Sequence, residues 1–229
     1  DRSVSRGLGD VYKRQVKGCF LGQADDWCTT PSQSINYASC HDNMTLLDRI
    51  TKSTPGASKE DHIRMNNLSA AIYMTAQGIP FLQAGEEMLR TKIDASGGFL
   101  ENSYNSPDSV NSIKWDTLED ETYQNVYNYY KGLIAFRKAH AALRLTNADD
   151  VNANITSVDG LDENVLAFRI NGGVNGETSD GIFVIFNPNS TETSVTLPDG
   201  AWDVCVNADH AGTGALTTVA DSVSVEPIS

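Results

Sequence analysis

The residue types best suited to chemistry stand side by side at His41, Asp42 and Asn43. A carboxylate can stabilise positive charge that develops during a reaction, an imidazole beside it can donate a hydrogen bond, and an amide can both donate and accept. The triplet follows a β-prone run, residues 34–38, so these side chains are predicted on a loop at the end of a strand. Taken alone, the triplet is more typical of a surface turn in which Asp42 caps a following helix.

A second polar segment follows the apolar run 79–84 and contains Glu86 and Glu87. Two carboxylates raise the possibility of a general acid and base. Adjacent side chains point apart, however, so we expect this pair to contact Arg90 or Lys92 and to brace the loop.

Two helices are predicted around these segments. Ser58, with Asp61 three residues later, forms the start of the first, and Gly78 and Pro80 end it. Thr117 is expected to open the second. Its apolar stripe comprises Tyr123, Val126, Tyr127, Tyr130, Leu133 and Ile134. The resulting order β-α-β-α predicts parallel strands covered by helices, a fold type in which polar residues at the carboxyl ends of strands build the active site.

From Leu145 the pattern changes to short alternating runs, which predict antiparallel strands. Asn171-Gly172 and Asp199-Gly200 supply the turn residues between them. The predicted strands are 151–158, 165–170, 181–187, 194–197, 202–206 and 222–225. Their number and spacing favour a β-sandwich.

Three segments follow from these patterns. Residues 1–15 lack an initiator Met, a capping pattern and apolar periodicity, and they resemble a translated sequencing adapter, so we expect them to be non-native. Residues 16–144 carry the strand and helix alternation, and residues 145–229 form the predicted β-sandwich.

Composition excludes several classes of partner. The formal net charge of -13 opposes nucleic-acid binding, which needs clustered Lys and Arg. No run of about 18 apolar residues is present to cross a bilayer. The four cysteines are too widely spaced for a zinc knuckle and are expected to be free thiols, so no metal or cofactor is expected. Free thiols slightly favour a cytoplasmic location over a secreted one, and the location otherwise stays open.

Three segments together resemble one protein family. The run Ile35–Leu46, which contains the His-Asp-Asn triplet, resembles the strand-seven motif of the α-amylase superfamily, and Gly78–Lys92 is similar to its strand-eight segment. Asn102–Asn111 resembles the loop that distinguishes pullulanases from ordinary amylases. The resemblance covers the chain from about Val16 to its end, and only loosely over the predicted sandwich.

This resemblance implies a fold and an activity. The fold would be the last strands and helices of a TIM (β/α)₈ barrel, followed by an antiparallel β-sandwich as C-terminal domain. The activity would be that of a retaining glycoside hydrolase that cleaves α-1,6-glucosidic branch linkages in pullulan, starch or glycogen-type glucans. In the family the nucleophile Asp and the acid/base Glu follow strands four and five. Neither motif is found in this chain, so we expect the fragment alone to be inactive. The resemblance also implies that the parent enzyme acts on a branched α-glucan, and we expect that enzyme to be a monomer.

The resemblance also implies roles for six residues. Asp42 would be the third carboxylate, which stabilises an oxocarbenium-like transition state, and His41 would donate a hydrogen bond beside it. The residues expected to bind glucose units at neighbouring subsites are Asn43, Tyr104, Asp108 and Asn111.

Two other functions remain open at this point. An α-1,4-acting or branching enzyme of the same superfamily is disfavoured by the Asn102–Asn111 loop. A non-catalytic carbohydrate-binding fragment would need an exposed row of aromatic side chains across the sandwich. The predicted strands carry few such residues, namely Phe168, Phe183, Phe186 and Trp202.

Overall fold

The computed structural model describes residues 13–24 and 26–229. Residues 13–20 are helical, so this helix includes the last three residues of the segment expected to be non-native. The remainder of that segment, residues 1–12, lies outside the described residues.

Two short parallel strands form the framework of the first part of the chain. Strand β1 (Ile35–Asn36) pairs with β2 (Ile79–Pro80), with Ile35 opposite Ile79. Helices α1 (Leu46–Ser53) and α2 (Lys59–Thr75) connect the two strands. The predicted strand, helix, strand order with parallel pairing is therefore confirmed. The strands are shorter than the predicted runs 34–38 and 79–84, because the ladder between them extends over only two residues of each.

Side-chain caps explain where the two connecting helices begin. The Ser58 hydroxyl accepts a hydrogen bond from the Asp61 amide at 3.0 Å, and the Asp61 carboxylate accepts from the Ser58 amide at 3.3 Å, which is the predicted capping box. Helix α1 is capped by Thr45, whose hydroxyl accepts from the Asp48 amide at 3.2 Å. Asp42 is not the cap of α1, so the interpretation of the triplet as a simple capping turn is wrong.

The long helix begins later than predicted. After the short helix α3 (Asp108–Asn111), residues Trp115–Glu119 form a 3₁₀ turn, and α4 (Glu121–Ala139) starts after Asp120. Thr117 does not open the helix, because the Asp120 carboxylate caps it by accepting from the Thr122 amide at 2.7 Å.

The apolar stripe of α4 is only partly as predicted. Val126, Tyr130 and Leu133 are buried, whereas Tyr127 and Ile134 are about 40% exposed (39% and 41%). Tyr129 and Phe136 are buried in their place. The face that packs against α2 is therefore rotated from the predicted one, since a helix has only one side toward the core.

The second part of the chain contains two antiparallel sheets. Strands β3 (Ile155–Ser157), β4 (Leu166–Asn171) and β5 (Gly181–Phe186) form one sheet in that order. Strands β6 (Thr193–Val204) and β7 (Thr217–Val225) form the other. The predicted β-rich C-terminal region is thus confirmed.

Two strand predictions in this region are wrong. Residues 151–154 belong to helix α5 (Ala148–Asn154), not to a strand, because Asn147 caps the helix by accepting from the Asp150 amide at 2.7 Å. The strands predicted at 194–197 and 202–206 are one strand, β6, with an irregularity in the pairing between Thr196 and Ala201. The Asp199-Gly200 turn signal therefore marks a bulge and not a hairpin.

Both parts share one hydrophobic core. Ile182, Val184 and Phe186 of β5 face this core, and Phe168 stacks on Phe20 with ring centroids 4.0 Å apart. The alternate residues of β5, Phe183 and Ile185, face a smaller core between the two sheets. Packing is continuous across the predicted boundary between 144 and 145, and the boundary itself stays a prediction.

Two findings concern the described residues as a set. All four cysteines are free thiols, as expected. None of the helices in the described part of the chain has the length and apolar character that crossing a bilayer requires.

Candidate functional site

The predicted site residues lie on loops that leave the same edge of the parallel strand pair. His41, Asp42 and Asn43 follow β1, and the segment that starts at Phe81 follows β2. The Phe81 amide donates to the Asn36 carbonyl at 2.9 Å, which continues the pairing to the last residue of β1. Since parallel strands end at the same edge, the two loops are neighbours in the fold.

The triplet presents its polar groups to solvent. His41 Nε2 lies 3.4 Å from Asp42 Oδ2, and the two side chains are 88% and 77% exposed. Asn43 adopts a left-handed backbone conformation with φ 66°, which an Asn tolerates better than most residues. Asp42 therefore has an accessible carboxylate with one imidazole beside it, an arrangement able to bind hydroxyl groups or to stabilise a cation.

Buried residues hold this exposed triplet at both ends. Ser39 is buried on one side, and Met44 and Thr45 are buried on the other. The Ser39 hydroxyl donates to Glu86 Oε1 at 2.5 Å, and Thr45 caps α1. Residues 40–43, which lie between these points, are not buried.

Glu86 differs most from its predicted role. It is 3% exposed and contacts neither Arg90 nor Lys92, so the predicted bracing ion pair is wrong. Its second oxygen, Oε2, accepts from the Tyr73 hydroxyl at 2.9 Å. Burial raises the pKa of the Glu86 carboxyl above its ordinary value. The hydrogen bonds from Ser39 and Tyr73 lower this pKa, but their effect is smaller than that of burial.

Glu87 also differs from the prediction. Its carboxylate accepts from the backbone amide of Gly85 at 2.9 Å, and no ion pair of this residue is found among residues 13–24 and 26–229. Arg90 donates instead to the backbone carbonyls of Ala84 and Asn111.

The loop that carries Tyr104 is fastened to α1, the helix that follows the triplet. The Lys92 amide donates to Asp48 Oδ2 at 2.8 Å, and Lys92 Nζ donates to the Ser103 hydroxyl at 2.9 Å. At the surface Lys52 and Glu101 lie 3.3 Å apart. These contacts place the loop beside α1 and leave Tyr104 84% exposed.

Asp108 and Asn111 occupy the short helix α3. The Asp108 side chain is exposed. The Asn111 side-chain amide donates to the Ser103 carbonyl at 2.6 Å and to the Ser106 carbonyl at 3.0 Å. Its nitrogen therefore holds the loop closed, and only its side-chain oxygen is left to meet another molecule.

Sequence reasoning did not predict the burial of three charged residues around the site. They are Asp48, Glu86 and Lys92, all 6% exposed or less. Burial raises the pKa of Asp48 and lowers the pKa of Lys92. The apolar Met88 and Leu89 directly after Glu86 and Glu87 are the sequence signal that could have indicated burial there.

Asp42 and Glu86 do not form an acid/base pair, because the Asp42 carboxylate is exposed whereas the Glu86 carboxylate is buried. Glu86 is enclosed and both its oxygens accept hydrogen bonds, so it is not placed to exchange a proton with a substrate. In residues 13–24 and 26–229 no three His, Cys, Asp or Glu side chains group closely enough to hold a metal ion.

Comparisons with known proteins point to one family. Residues 151–210 match the family model described as "Pullulanase, all-beta domain". The chain is 39% identical to a pullulanase from Bacillus subtilis (strain 168) over 140 residues, which is 61% of this chain and 18% of that protein. It is 29% identical to an isoamylase from Flavobacterium sp over 237 residues, which is 84% of this chain and 30% of that protein.

Solved structures give the same result. A pullulanase from Bacillus acidopullulyticus superposes with a TM-score of 0.87 at 38% identity, over 93% of this chain and 25% of that chain. A pullulanase from Anoxybacillus sp. LM18-11, complexed with maltotetraose, superposes with a TM-score of 0.81 at 31% identity, over 95% of this chain and 30% of that chain. This chain thus spans less than a third of the length of these relatives. By sequence and by fold, this chain is similar to pullulanases, and its match to the pullulanase family model covers residues 151–210.

Proposed function

We propose that this chain is part of a debranching glycoside hydrolase that cleaves α-1,6-glucosidic linkages in pullulan, starch or glycogen-type glucans. The observation that carries the proposal is the exposed Asp42 carboxylate beside His41, at the carboxyl end of a parallel strand, in a chain 38% identical to a pullulanase of the same fold. The parallel unit β1, α1, α2, β2 would be the last part of a (β/α)₈ barrel, and the two antiparallel sheets a C-terminal β-sandwich.

In this proposal Asp42 stabilises the positive charge of the transition state and transfers no proton. As the glycosidic bond breaks, the sugar ring gains oxocarbenium character, and a fixed carboxylate stabilises that charge more strongly than it stabilises the ground state. His41, within 3.4 Å, would donate to a sugar hydroxyl or to the carboxylate itself. The nucleophile and the acid/base residue would belong to parts of the parent enzyme outside this chain.

The remaining proposed site residues would bind glucose units. Tyr104, 84% exposed, offers a ring face for stacking and a hydroxyl for hydrogen bonding. Asn43 and Asp108 offer exposed polar groups, and Asn111 offers its side-chain oxygen. An α-glucan as partner is supported by the related pullulanase that was solved with maltotetraose bound. We also propose that the parent enzyme is a monomer.

The test is to express the complete gene that encodes this chain and to measure reducing-sugar release from pullulan. Asp42→Asn removes the charge with little change of volume, and kcat should fall by at least about a hundredfold because a preorganised electrostatic contact to the transition state is lost. The control is Asp199→Asn, an exposed residue of β6, which should keep wild-type kcat.

The same assay separates the other functions. Release from pullulan but not from linear amylose supports α-1,6 cleavage, whereas rapid release from amylose would identify an α-1,4-acting enzyme. If the wild-type protein binds glucans and releases no reducing sugar, the binding-fragment alternative replaces the proposal. Full activity of Asp42→Asn would remove Asp42 from its proposed role.

A further inference from the structure

Glu86 joins three segments of the chain at the base of the candidate site. Its Oε1 accepts from the Ser39 hydroxyl at 2.5 Å and lies 3.4 Å from the Gln83 amide. Its Oε2 accepts from the Tyr73 hydroxyl of α2 at 2.9 Å. The loop after β1, the loop after β2 and helix α2 therefore meet on one buried carboxylate.

This meeting point has a direct link to the exposed triplet. Ser39 lies two residues before His41 and three before Asp42, and its hydroxyl is the buried contact nearest to them on the strand side. On the helix side the chain is held by Met44, 4% exposed, and by Thr45, 2% exposed. The conformation of residues 40–43 thus depends on two fixed ends, and Glu86 fixes one of them.

We propose that Glu86 is a positioning residue that acts through Ser39 to hold the backbone carrying His41 and Asp42 in its productive geometry. The inference rests on the proposed function, because it assigns a residue to that reaction. An active group displaced by about 1 Å can lose on the order of a hundredfold in rate, so the fixing of this loop has a measurable consequence.

The contacts of Glu86 favour a positioning role for this residue over a role in proton transfer. Both oxygens accept from buried or partly buried donors, and the residue is 3% exposed. An uncharged Gln at this position can reproduce both contacts, since its oxygen can accept from Ser39 and its amide can donate to the Tyr73 oxygen. An Ala reproduces neither.

The experiment uses three variants in the complete enzyme with pullulan as substrate. For Glu86→Ala we expect kcat to fall by about tenfold or more with KM within twofold, because the groups are misplaced in the transition state and substrate binding elsewhere is intact. Glu86→Gln should recover kcat to within about threefold of wild type, if geometry is what matters. Ser39→Ala removes only the link to the triplet and should lower kcat several-fold with little change in the urea midpoint.

Two controls separate positioning from general damage to the fold. Glu87→Ala removes the neighbouring carboxylate, which accepts from Gly85 and touches no part of residues 39–43 among the described contacts, and it should keep kcat within twofold. Ser39→Ala combined with Glu86→Ala should be no slower than Glu86→Ala alone, because both changes break the same contact.

Each outcome decides the inference. If the wild type cleaves pullulan and Asp42→Asn is inactive, but Ser39→Ala and Glu86→Ala keep wild-type kcat, the positioning role is wrong and the proposed function stands. Equal losses for Glu86→Gln and Glu86→Ala would show that charge, and not geometry, is required, and would also overturn the inference. A wild-type enzyme inactive on pullulan would overturn both.

Discussion

At the residue scale, Glu177 shows how backbone donors keep a buried carboxylate ionised. Its Oε2 accepts from the Ala142 amide at 3.1 Å, and its Oε1 accepts from the Ser179 amide at 3.0 Å. His140 Nδ1 lies 3.2 Å from Oε1. Burial of the carboxyl raises the pKa, but the hydrogen bonds from Ser179, Ala142 and His140 outweigh burial and lower the pKa from 4.5 to about 2.

This depressed pKa predicts a pH dependence of stability. The ionised carboxylate contributes stability in full above pH 4.5, and that contribution is lost as pH falls toward 2, because the unfolded state then binds the proton more readily. We expect Glu177→Gln to be less stable than the wild type at pH 6 and to lose less stability between pH 4.5 and 2. Urea midpoints measured across this range check the expectation, with the exposed Glu192→Gln as control. Parallel curves for wild type and Glu177→Gln would contradict it.

At the scale of elements, Arg137 joins α4 to the end of α2. Its guanidinium donates to the carbonyls of Met74 at 2.9 Å, Ala76 at 2.7 Å and Gly78 at 2.8 Å. These carbonyls lie where α2 ends and β2 begins, a place where helix carbonyls lack partners within the helix. Burial lowers the pKa of Arg137 to about 10, so the group stays charged at neutral pH.

Removing this contact should destabilise the junction of helix and strand. Arg137→Met keeps an apolar stem but leaves three carbonyls without their donor, so we expect a loss of about 2 to 4 kcal/mol in the free energy of unfolding. The neighbouring exposed Lys138→Met should change it by less than about 0.5 kcal/mol. Chemical denaturation measures both. A loss below about 1 kcal/mol for Arg137→Met would show that water replaces the guanidinium there.

At the scale of the whole molecule, aromatic stacking joins the helical part to the β part. Phe20 lies 4.0 Å from Phe168 in a stacked pair and 5.9 Å from Phe186 in an edge contact, measured between ring centroids. Phe20 and Phe168 are both fully buried. Because the same core includes residues of α2 and α4, the two parts are expected to unfold together.

Phe168→Ala tests this shared core. The cavity and the lost burial should lower the free energy of unfolding by about 3 to 5 kcal/mol. Far-UV circular dichroism and tyrosine fluorescence should shift to the same lower midpoint, whereas Leu216→Ala, at a residue 49% exposed, should leave both unchanged. Two separate transitions in the variant would show that the parts fold independently.

Local signals in the sequence were sufficient for much of the fold. The capping box of Ser58 and Asp61, the strand, helix, strand order and the antiparallel strands β4 and β5 were predicted, because each has a local signal in the sequence, either a cap residue or an apolar period. The same local reasoning failed at residues 151–154, where the Asn147 cap outweighed the apparent alternation. The resemblance to pullulanases also followed from short motifs, and the comparisons agree with it.

The tertiary structure alone decided which polar residues are buried and what they contact. Glu86 meets Ser39 across 47 positions of sequence, and Lys92 meets Asp48 across 44. No periodicity encodes such pairs, because a charged side chain is buried only when distant segments both exclude water from it and supply its donors. The sequence by itself therefore determined the family resemblance and the candidate triplet. The fold decided that the triplet is exposed and that a buried carboxylate holds the backbone beneath it.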